Sequence, residues 1–193
     1  MQRKKEHTST WGETATEWIT SIIVAGALAF LIRTFLVEPY VVEGNSMHPS
    51  LLNQQRLVVD KLTAFFRLPE RGQIIVFRFP KDESRDFIKR VIAVGGDTVE
   101  MMDGFVYVNG RRLQENYIWQ EDPRGRNTSD YIKTIVPKDC VFVLGDNRNN
   151  SEDSRYDDVG FVPKSLIKGR AVCCFWPLSD TRMLEPVFRY AEE

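Results

Sequence analysis

The sequence contains few of the residues on which many hydrolytic and metal-dependent sites rely. Its 193 residues include 2 histidines, His7 and His48, and 3 cysteines, none of them in a Cys-x-x-Cys pair. A zinc site is therefore not expected, because zinc sites draw on clusters of these residue types. The odd number of cysteines also excludes a closed disulfide framework. Small buried residues are the favoured interpretation of Cys140, Cys173 and Cys174.

A strong excess of charge is also absent. The chain has 26 Lys and Arg against 27 Asp and Glu, a formal net charge of −1. No long-range field would recruit nucleic acid, so nucleic acid is not expected among the partners. The 42% hydrophobic and 27% charged residues are typical of a globular protein. The length suits one domain of ordinary size with a small insertion.

One long apolar run lies near the N-terminus, at residues 19–37. As a helix this run would extend about 28 Å, close to the roughly 30 Å of a bilayer's hydrocarbon core. A retained transmembrane helix is favoured over a cleavable signal peptide, because the apolar run continues past the possible cleavage site at Ala27-Leu28-Ala29. The basic residues Arg3, Lys4 and Lys5 predict a cytoplasmic segment 1–18 and an extracytoplasmic body.

The remainder of the chain has a β pattern. After Pro39, short segments rich in Val, Ile and Phe alternate with turn residues, which predicts strands. The clearest is FVYVNGRRL, in which Asn109 and Gly110 suit a two-residue type I′ turn. The predicted fold class is mainly β: an N-terminal transmembrane helix is followed by an antiparallel β-sheet core with a small inserted β/loop lobe. The inserted segment from about 111 to 136 is polar and loop-like.

A candidate nucleophile lies in EGNSMHPSLL, residues 43–52. The hydroxyl of Ser46 would need a base to remove its proton. His7 precedes the apolar run, and His48 is two residues from Ser46 and is followed by Pro49. Neither histidine is well placed to take this proton, so a Ser-His-Asp triad is not expected.

Lysine is the remaining candidate for the base. A lysine acts as a base only when neutral, which requires its pKa to fall from about 10.4 to roughly 7–8. Lys89 lies in the apolar segment FIKRVIAV, where burial would lower the pKa of the amine. The alternative interpretation is a lysine that buries its stem and keeps its ammonium group in water.

A third block, VFVLGDNRNNSEDSRYDDVGFVP, combines acidic, basic and hydroxyl side chains. It does not match a calcium loop, because Ser151 and Asp157 occupy the positions that need Gly and Glu. A plain polar turn is one interpretation. The more specific hypothesis is that Ser151 hydrogen-bonds the neutral amine of Lys89, while Asp153 and Arg155 pair to hold the loop.

In this order the blocks resemble those of bacterial type I signal peptidase, a family of membrane-anchored Ser-Lys proteases that remove signal peptides from exported proteins. GNSMHPSL is similar to its G-x-S-M-x-P-T-L box, and RGQIIVFRFP to its R-G-D-I-V-V-F strand. FIKRVIAVGGD is similar to its lysine box, and GDNRNNSEDSR to its G-D-N-R-x-N-S-x-D-S-R loop. The chain departs from these patterns at Ser50, which replaces a threonine, and at Gln73, which replaces an aspartate.

The resemblance implies a serine endopeptidase with Ser46 as nucleophile and Lys89 as general base. The backbone N–H of Ser46 would bind the oxyanion, while Gly44 would supply no side-chain donor. The residues that support the site would be Ser151, Asp153, Arg155, Gly145, Asp146, Asn147 and Arg148. No cofactor and no metal is implied.

The resemblance also implies how a preprotein would bind. It would lie in the site as an extended strand, with small residues, typically alanine, at the first and third positions before the cut. The residues that contact it would be Val41, Val42, Glu43, Met47, Asp86, Phe87 and Ile88. The catalytic core would comprise residues 38–98 and 137–177, with a small lobe at 99–136 and a tail of unknown role at 178–193.

The expected partners are preproteins that carry signal peptides, the lipid bilayer and the secretion translocon, at the plasma membrane. Two alternatives are a self-cleaving Ser-Lys protease of the repressor type and a membrane-tethered, non-catalytic β-domain that acts as a binding or assembly factor. The first would carry a DNA-binding module, of which the sequence has no sign. The second would leave the lysine in an apolar strand unexplained.

Overall fold

The computed structural model describes residues 11–31, 37–119 and 130–191. The chain divides into two compact units, residues 1–36 and 37–193. The first unit contains helix α1, Trp11–Leu31. From residue 16 to residue 30 every side chain of this helix is exposed. The large apolar ones among them are Trp18, Ile19, Ile22, Ile23, Val24, Leu28 and Phe30.

Helix α1 does not coincide with the predicted span 19–37. It begins at Trp11, and Val37 already belongs to a β-strand, so a helix that continues to Val37 is wrong at that residue. Residues 32–36, and most of the predicted cytoplasmic segment, lie outside the described residues. Of the helices within the described ranges, none has both the length and the apolar character that crossing a membrane requires.

Within its described residues, the second unit contains β-strands, one short α-helix, α2 (Lys61–Phe66), and the 3-10 helices Lys164–Leu166 and Leu178–Asp180. Its strands within the described residues are β1 (Val37–Val41), β2 (Arg56–Asp60), β3 (Ile74–Phe79), β4 (Asp82–Val94), β5 (Thr98–Met102), β6 (Phe105–Val108), β7 (Arg111–Arg112), β8 (Tyr131–Ile135), β9 (Cys140–Leu144), β10 (Val162–Pro163), β11 (Ile167–Trp176) and β12 (Arg182–Met183). The paired strands are antiparallel throughout. The prediction of a mainly antiparallel β fold is confirmed.

The larger sheet has 8 strands in the order β1-β2-β11-β3-β4-β9-β10, with β12 paired to β11. Strand β3, at its centre, has the sequence IIVFRF and is buried on both faces. Ile74 and Val76 pack into one hydrophobic cluster, while Ile75 and Phe77 pack into another. A strand covered on both faces reads as a continuous apolar run, which is why this segment lacks alternation.

The smaller sheet has 4 strands in the order β7-β6-β5-β8. Asn109 and Gly110 connect β6 to β7 and both have positive φ, 55° and 77°, which confirms the predicted type I′ turn. The hydrophobic cluster of this sheet includes Val99 and Val106, and it also includes Phe142 and Leu144 of β9. The two sheets therefore share one core at this point.

Strand β8 was not predicted, since it lies in the segment 111–136 that reads as a polar loop. Its side chains explain the error, because Ile132 and Ile135 are exposed while Tyr131 packs on Phe142 with 5.2 Å between ring centroids. The strand forms because its backbone pairs with β5. Residues 120–129 of the same segment lie outside the described residues. The division of the body at 98–99 and 136–137 stays a prediction.

The three cysteines are free thiols. Cys174 is buried, while Cys140 and Cys173 are only partly buried. The interpretation as small buried residues thus holds fully for Cys174 alone.

Candidate active site

A cleft runs between two stretches of the larger sheet. One wall is the end of β1 and the loop that follows it, residues 40–46, and the other is residues 84–89 of β4. Of the residues predicted to contact a substrate, the lining of this cleft includes Val41, Val42, Glu43, Asp86, Phe87 and Ile88. Met47 is not part of this lining. Its side chain is 1% exposed and packs in a hydrophobic cluster with Leu51 and Leu57.

The loop that presents Ser46 is held at its base by backbone hydrogen bonds. The N–H of Val42 donates to the carbonyl of Gln55, and the N–H of Gln54 donates back to Val42, each at 2.8 Å. Within the loop, Gly44 N–H donates to Asn53 Oδ1 at 3.0 Å. The buried side chain of Met47 anchors the loop from below. The position of Ser46 therefore depends on packing directly beneath it.

Strand β4 brings Lys89 to this serine. The Nζ of Lys89 donates to the Ser46 Oγ at 2.9 Å and to the carbonyl of Ile88 at 3.1 Å. Lys89 pairs in register with Ile75 of the buried strand β3, and it is 4% exposed. The two residues selected from the sequence as nucleophile and base are thus within hydrogen-bond distance. The snorkelling alternative does not fit a side chain that is this deeply buried.

Burial lowers the pKa of the Lys89 amine to about 8, because an ammonium group is poorly solvated there. Asp153, Glu152 and Asp146 oppose this effect, since their negative charges favour the ammonium form. The ring of Phe87, 5.0 Å from Nζ, also attracts the cation. Burial outweighs these attractive interactions, so the Lys89 amine is partly neutral near neutral pH. A general base needs such a neutral fraction.

The loop between β9 and β10 lies against the backbone of Ser46. Asn147 N–H donates to the carbonyl of Ser46 at 3.0 Å. Asp153 accepts from the N–H of Gly145 at 3.0 Å and from Arg155 Nε at 2.7 Å. Asp153 and Arg155 thus form the predicted pair, and Asp153 is completely buried.

Gly145 has no room for a side chain. An added Cβ would lie 2.5 Å from the Ser46 carbonyl oxygen and would collide with Ser151 Oγ. Such distances are well below van der Waals contact, so only glycine allows the loop to approach Ser46 this closely.

The hydrogen bond expected between Ser151 and Lys89 is not formed. Ser151 Oγ is buried and has no hydrogen-bond partner within the part of the chain that the structure describes. The Lys89 Nζ instead donates to Ser46 and to the Ile88 carbonyl. The Ser151 hydroxyl faces the backbone of Gly145.

Two buried arginines lie beside the site. Arg148 was among the predicted supporting residues, whereas Arg90 and the partner of Arg148, Glu115, were missed in the sequence. Arg90 binds Asp146 through Nε at 2.8 Å and through Nη2 at 2.6 Å, and Tyr117 covers its guanidinium at 4.2 Å. Arg148 binds Glu115 with both terminal nitrogens. An arginine in an apolar strand was a signal that a buried carboxylate must exist, whereas Glu115 lies in a polar stretch with no such signal.

Comparison with known proteins identifies the family of this chain. The family model described as "Signal peptidase, peptidase S26" matches residues 15–176. The chain belongs to this family. It is therefore a serine peptidase, and the resemblance to type I signal peptidase is confirmed.

Several relatives share most of the chain. The chain is 40% identical over 171 residues to "Signal peptidase I P" of Bacillus subtilis subsp. natto. This alignment covers 86% of this chain and 91% of that protein. It is 41% identical over 190 residues to "Probable signal peptidase I-2" of Synechocystis sp.. This alignment covers 94% of this chain and 82% of that protein. The crystal structure of a signal peptidase I from Enterococcus faecalis V583 is 33% identical, with a TM-score of 0.46, and covers 54% of this chain and 97% of that one.

Proposed function

We propose that this peptidase removes N-terminal signal peptides from exported preproteins, with Ser46 as nucleophile and Lys89 as general base. The observation that carries the proposal is the 2.9 Å hydrogen bond between Lys89 Nζ and Ser46 Oγ, at a lysine that is 4% exposed. Family membership and the names of the relatives support the substrate class.

In the acylation step, the neutral amine of Lys89 takes the proton of the Ser46 hydroxyl while Oγ attacks the carbonyl carbon of the scissile bond. The backbone N–H of Ser46 stabilises the oxyanion of the tetrahedral intermediate. The Lys89 ammonium then donates its proton to the leaving amine, and the C–N bond breaks. Water, activated by the neutral Lys89, hydrolyses the acyl-enzyme in the second half of the reaction.

Gly44 supplies no side-chain donor to the oxyanion. Its φ is 87°, a conformation that side-chain-bearing residues rarely adopt, and an added Cβ would meet open space. Oxyanion stabilisation in this chain thus relies on backbone N–H groups. Gly145, Asp146, Asn147, Arg148, Asp153 and Arg155 act in support, because their hydrogen bonds hold the loop against Ser46. Ser151 would orient Lys89 only in a conformation that forms the hydrogen bond absent here.

The substrate adds to the cleft as an extended strand between residues 41–43 and 86–88. Exposed backbone groups at the edges of a cleft bind an extended peptide in this way. Apolar side chains of Leu57, Val76 and Ile88 contribute to the lining. Shallow apolar pockets of this kind suit small residues at the first and third positions before the cut.

The N-terminal unit attaches the peptidase to the plasma membrane as a single-pass protein, with residues before the helix in the cytoplasm and the second unit outside. The exposed Ile22, Ile23 and Phe30 of α1 support attachment, and the basic residues 3–5 support this orientation. The secretion translocon would deliver the substrates. Co-flotation of the whole chain with lipid vesicles tests the attachment.

The deciding experiment is cleavage of a preprotein that carries an Ala-x-Ala site by the detergent-solubilised whole chain. We expect Ser46→Ala and Lys89→Ala each to lower kcat by about 10³-fold or more, since each removes half of the reacting pair. The kcat/KM of the wild type should rise with pH through an apparent pKa of about 8, which is the pKa of Lys89 in the free enzyme.

The matched controls are Ser165→Ala and Lys81→Ala, because both positions are exposed and outside the cleft. Cleavage that survived Lys89→Ala would eliminate this residue as the base. A wild-type chain that folds and binds signal peptides without cutting them would instead favour the tethered, non-catalytic β-domain.

A further inference from the structure

We propose that Glu115 is a positioning residue for Ser46, which it reaches through Arg148 and the Gly145–Arg148 turn. The inference deepens the proposed function, since it concerns how the same serine is held for the reaction. Glu115 belongs to none of the four sequence boxes and lies 33 positions from Arg148 in the chain. Three links connect Glu115 to Ser46.

The first link is a buried ion pair. The side chain of Arg148 is 1% exposed and that of Glu115 is 8% exposed. Arg148 Nη1 donates to Glu115 Oε2 at 3.2 Å, and Nη2 donates to Oε1. A guanidinium with so little access to water needs a carboxylate opposite it, and a two-point contact also fixes its orientation.

The second link runs from Arg148 through the turn. Arg148 Nε donates to the Gly145 carbonyl at 3.0 Å, which closes the turn from within. The Arg148 carbonyl accepts from Arg155 at 2.8 Å. The Arg148 side chain therefore holds the first residue of the turn, and Arg155 holds its last residue. The turn has very little free space, since Gly145 already lies against Ser46.

The third link joins the turn to the nucleophile. Asn147 N–H, in the middle of the turn, donates to the carbonyl of Ser46 at 3.0 Å. A displacement of the turn would shift the backbone of Ser46 and, with it, both Oγ and the N–H that faces the oxyanion. None of these contacts involves residues 84–88, the opposite wall of the cleft.

Glu115 is itself held in place from three sides. Its segment is bound at one end by the N–H of Gln114, which donates to the Arg189 carbonyl at 2.9 Å, and at the other by Trp119 N–H, which donates to Asp146 at 3.2 Å. The hydroxyl of Tyr117 donates to Glu115 Oε1 at 3.0 Å. These contacts orient the Glu115 carboxylate independently of Arg148, as a positioning group requires.

The test compares Glu115→Gln with the wild type at a temperature where both are folded, using the Ala-x-Ala preprotein. We expect kcat to fall by about 10- to 100-fold, because a displacement of about 1 Å at the reacting atoms has this effect. KM should stay within twofold, since the chain of contacts from Glu115 to Ser46 does not involve residues 84–88, which form the opposite wall of the cleft. A residue with only a structural role would lower the melting temperature and leave the kcat of the folded protein unchanged.

Two further variants make the result unambiguous. Glu83→Gln removes a carboxylate from the exposed pair with Arg78 and should leave kcat unchanged. The double variant Glu115→Gln/Arg148→Gln avoids leaving a buried charge unpaired and should fold even if the single variant does not. It should lose at least as much kcat as Glu115→Gln, because it breaks the same ion pair and also removes the Arg148 Nε hydrogen bond to the Gly145 carbonyl.

The proposal is overturned if folded Glu115→Gln, or the folded double variant, cuts with a kcat within twofold of the wild type. Ser46→Ala, assayed in parallel, separates this result from a failure of the proposed function. If Ser46→Ala is inactive while Glu115→Gln is fully active, the peptidase assignment stands and only the positioning role is lost. If Ser46→Ala still cuts, the proposed nucleophile itself is wrong.

Discussion

At the scale of single residues, the character of the site comes from the placement of Lys89. A lysine with 4% exposure is held in an environment that disfavours its charged form, and this same environment makes it a base. Activity and stability thus oppose each other at this position, as is common where a functional group is buried.

Because burial of the Lys89 amine favours activity at the expense of stability, we expect Lys89→Met to be inactive but more stable than the wild type. The pKa of Lys89 is about 8 in the folded chain and 10.5 unperturbed. Below pH 8 the folded wild type must bury an ammonium group, so the variant should be more stable at pH 7, by up to about 3 kcal/mol. Urea unfolding at pH 7 measures this difference in unfolding free energy.

The stability difference between Lys89→Met and the wild type should depend on pH. Between pH 8 and 10.5 the unfolded wild type binds more protons than the folded one, so its stability rises with pH. The advantage of Lys89→Met should therefore shrink between pH 7 and pH 10. Lys81→Met, at an exposed lysine, should show no such trend. An advantage that stayed constant over this range would contradict a lowered pKa at Lys89.

At the scale of elements, β4 supplies side chains to two different environments. Successive residues of a strand point to opposite faces, so Lys89 meets Ser46 while the neighbouring Arg90 meets Asp146. One strand thus delivers the base and also binds the loop that faces the nucleophile. This explains why the apolar segment FIKRVIAV carries two adjacent basic residues.

Substitutions of Gly145, in the loop between β9 and β10, and of Gly169, in β11, should differ in their effect on activity. In Gly145→Ala the new Cβ would lie 2.5 Å from the Ser46 carbonyl oxygen, and in Gly169→Ala it would lie 2.5 Å from Val59 Cγ1. Both should lower the unfolding free energy by about 1–3 kcal/mol through overpacking. Only Gly145→Ala should also lower the kcat of folded protein, by about 100-fold, because it displaces the nucleophile.

Thermal melting and steady-state cleavage, measured on the same preparations, separate the two effects. Gly169 is the matched control, since it is equally crowded but lies in β11, away from the cleft lining. If both variants lost kcat to the same extent, the loop would have no special relation to Ser46.

At the scale of the whole molecule, the C-terminal tail has a role that its sequence does not reveal. Arg182 donates to the carbonyl of Ser50 at 2.6 Å, and Val187 N–H donates to the carbonyl of Gly72 at 3.3 Å. Further along, Tyr190 pairs with Leu113 as an isolated bridge. The tail therefore binds the serine loop, the turn that precedes β3 and the segment after β7, which carries Glu115.

The exposed apolar surface of α1 predicts attachment of the chain to a membrane. We expect the wild type to float with vesicles of phosphatidylethanolamine and phosphatidylglycerol. The double variant Ile22→Asp/Ile23→Asp should remain at the bottom of the gradient, because charged side chains at these positions oppose insertion into lipid.

The matched control is Ile132→Asp/Ile135→Asp, which makes the same change at two exposed isoleucines of the second unit. This control should float like the wild type. Flotation of the Ile22/Ile23 variant together with the wild type would show that α1 is not the membrane contact.

Much of the architecture could be predicted from the sequence, because the local residue patterns agree with the fold. Apolar segments bounded by turn residues identified the cores of β3, β4 and β9, and the Asn109-Gly110 turn followed from its need for positive φ. No such segment marked strands β1, β8, β10, β11 and β12 or helix α2. In β8 the exposed Ile132 and Ile135 obscure the pattern, and pairing with β5 decides the conformation.

By itself, the sequence determined which chemistry was available to this protein. Two histidines in unsuitable places and no metal-ligand cluster left a serine and a lysine in an apolar strand, and the order of four short boxes identified the family. The tertiary structure decided the distances. Lys89 reaches Ser46 across 43 positions of chain, Ser151 makes no hydrogen bond to the amine, Met47 enters the core, and Glu115 pairs with Arg148. These contacts depend on how strands far apart in the chain pack together, and no local pattern of residues encodes that.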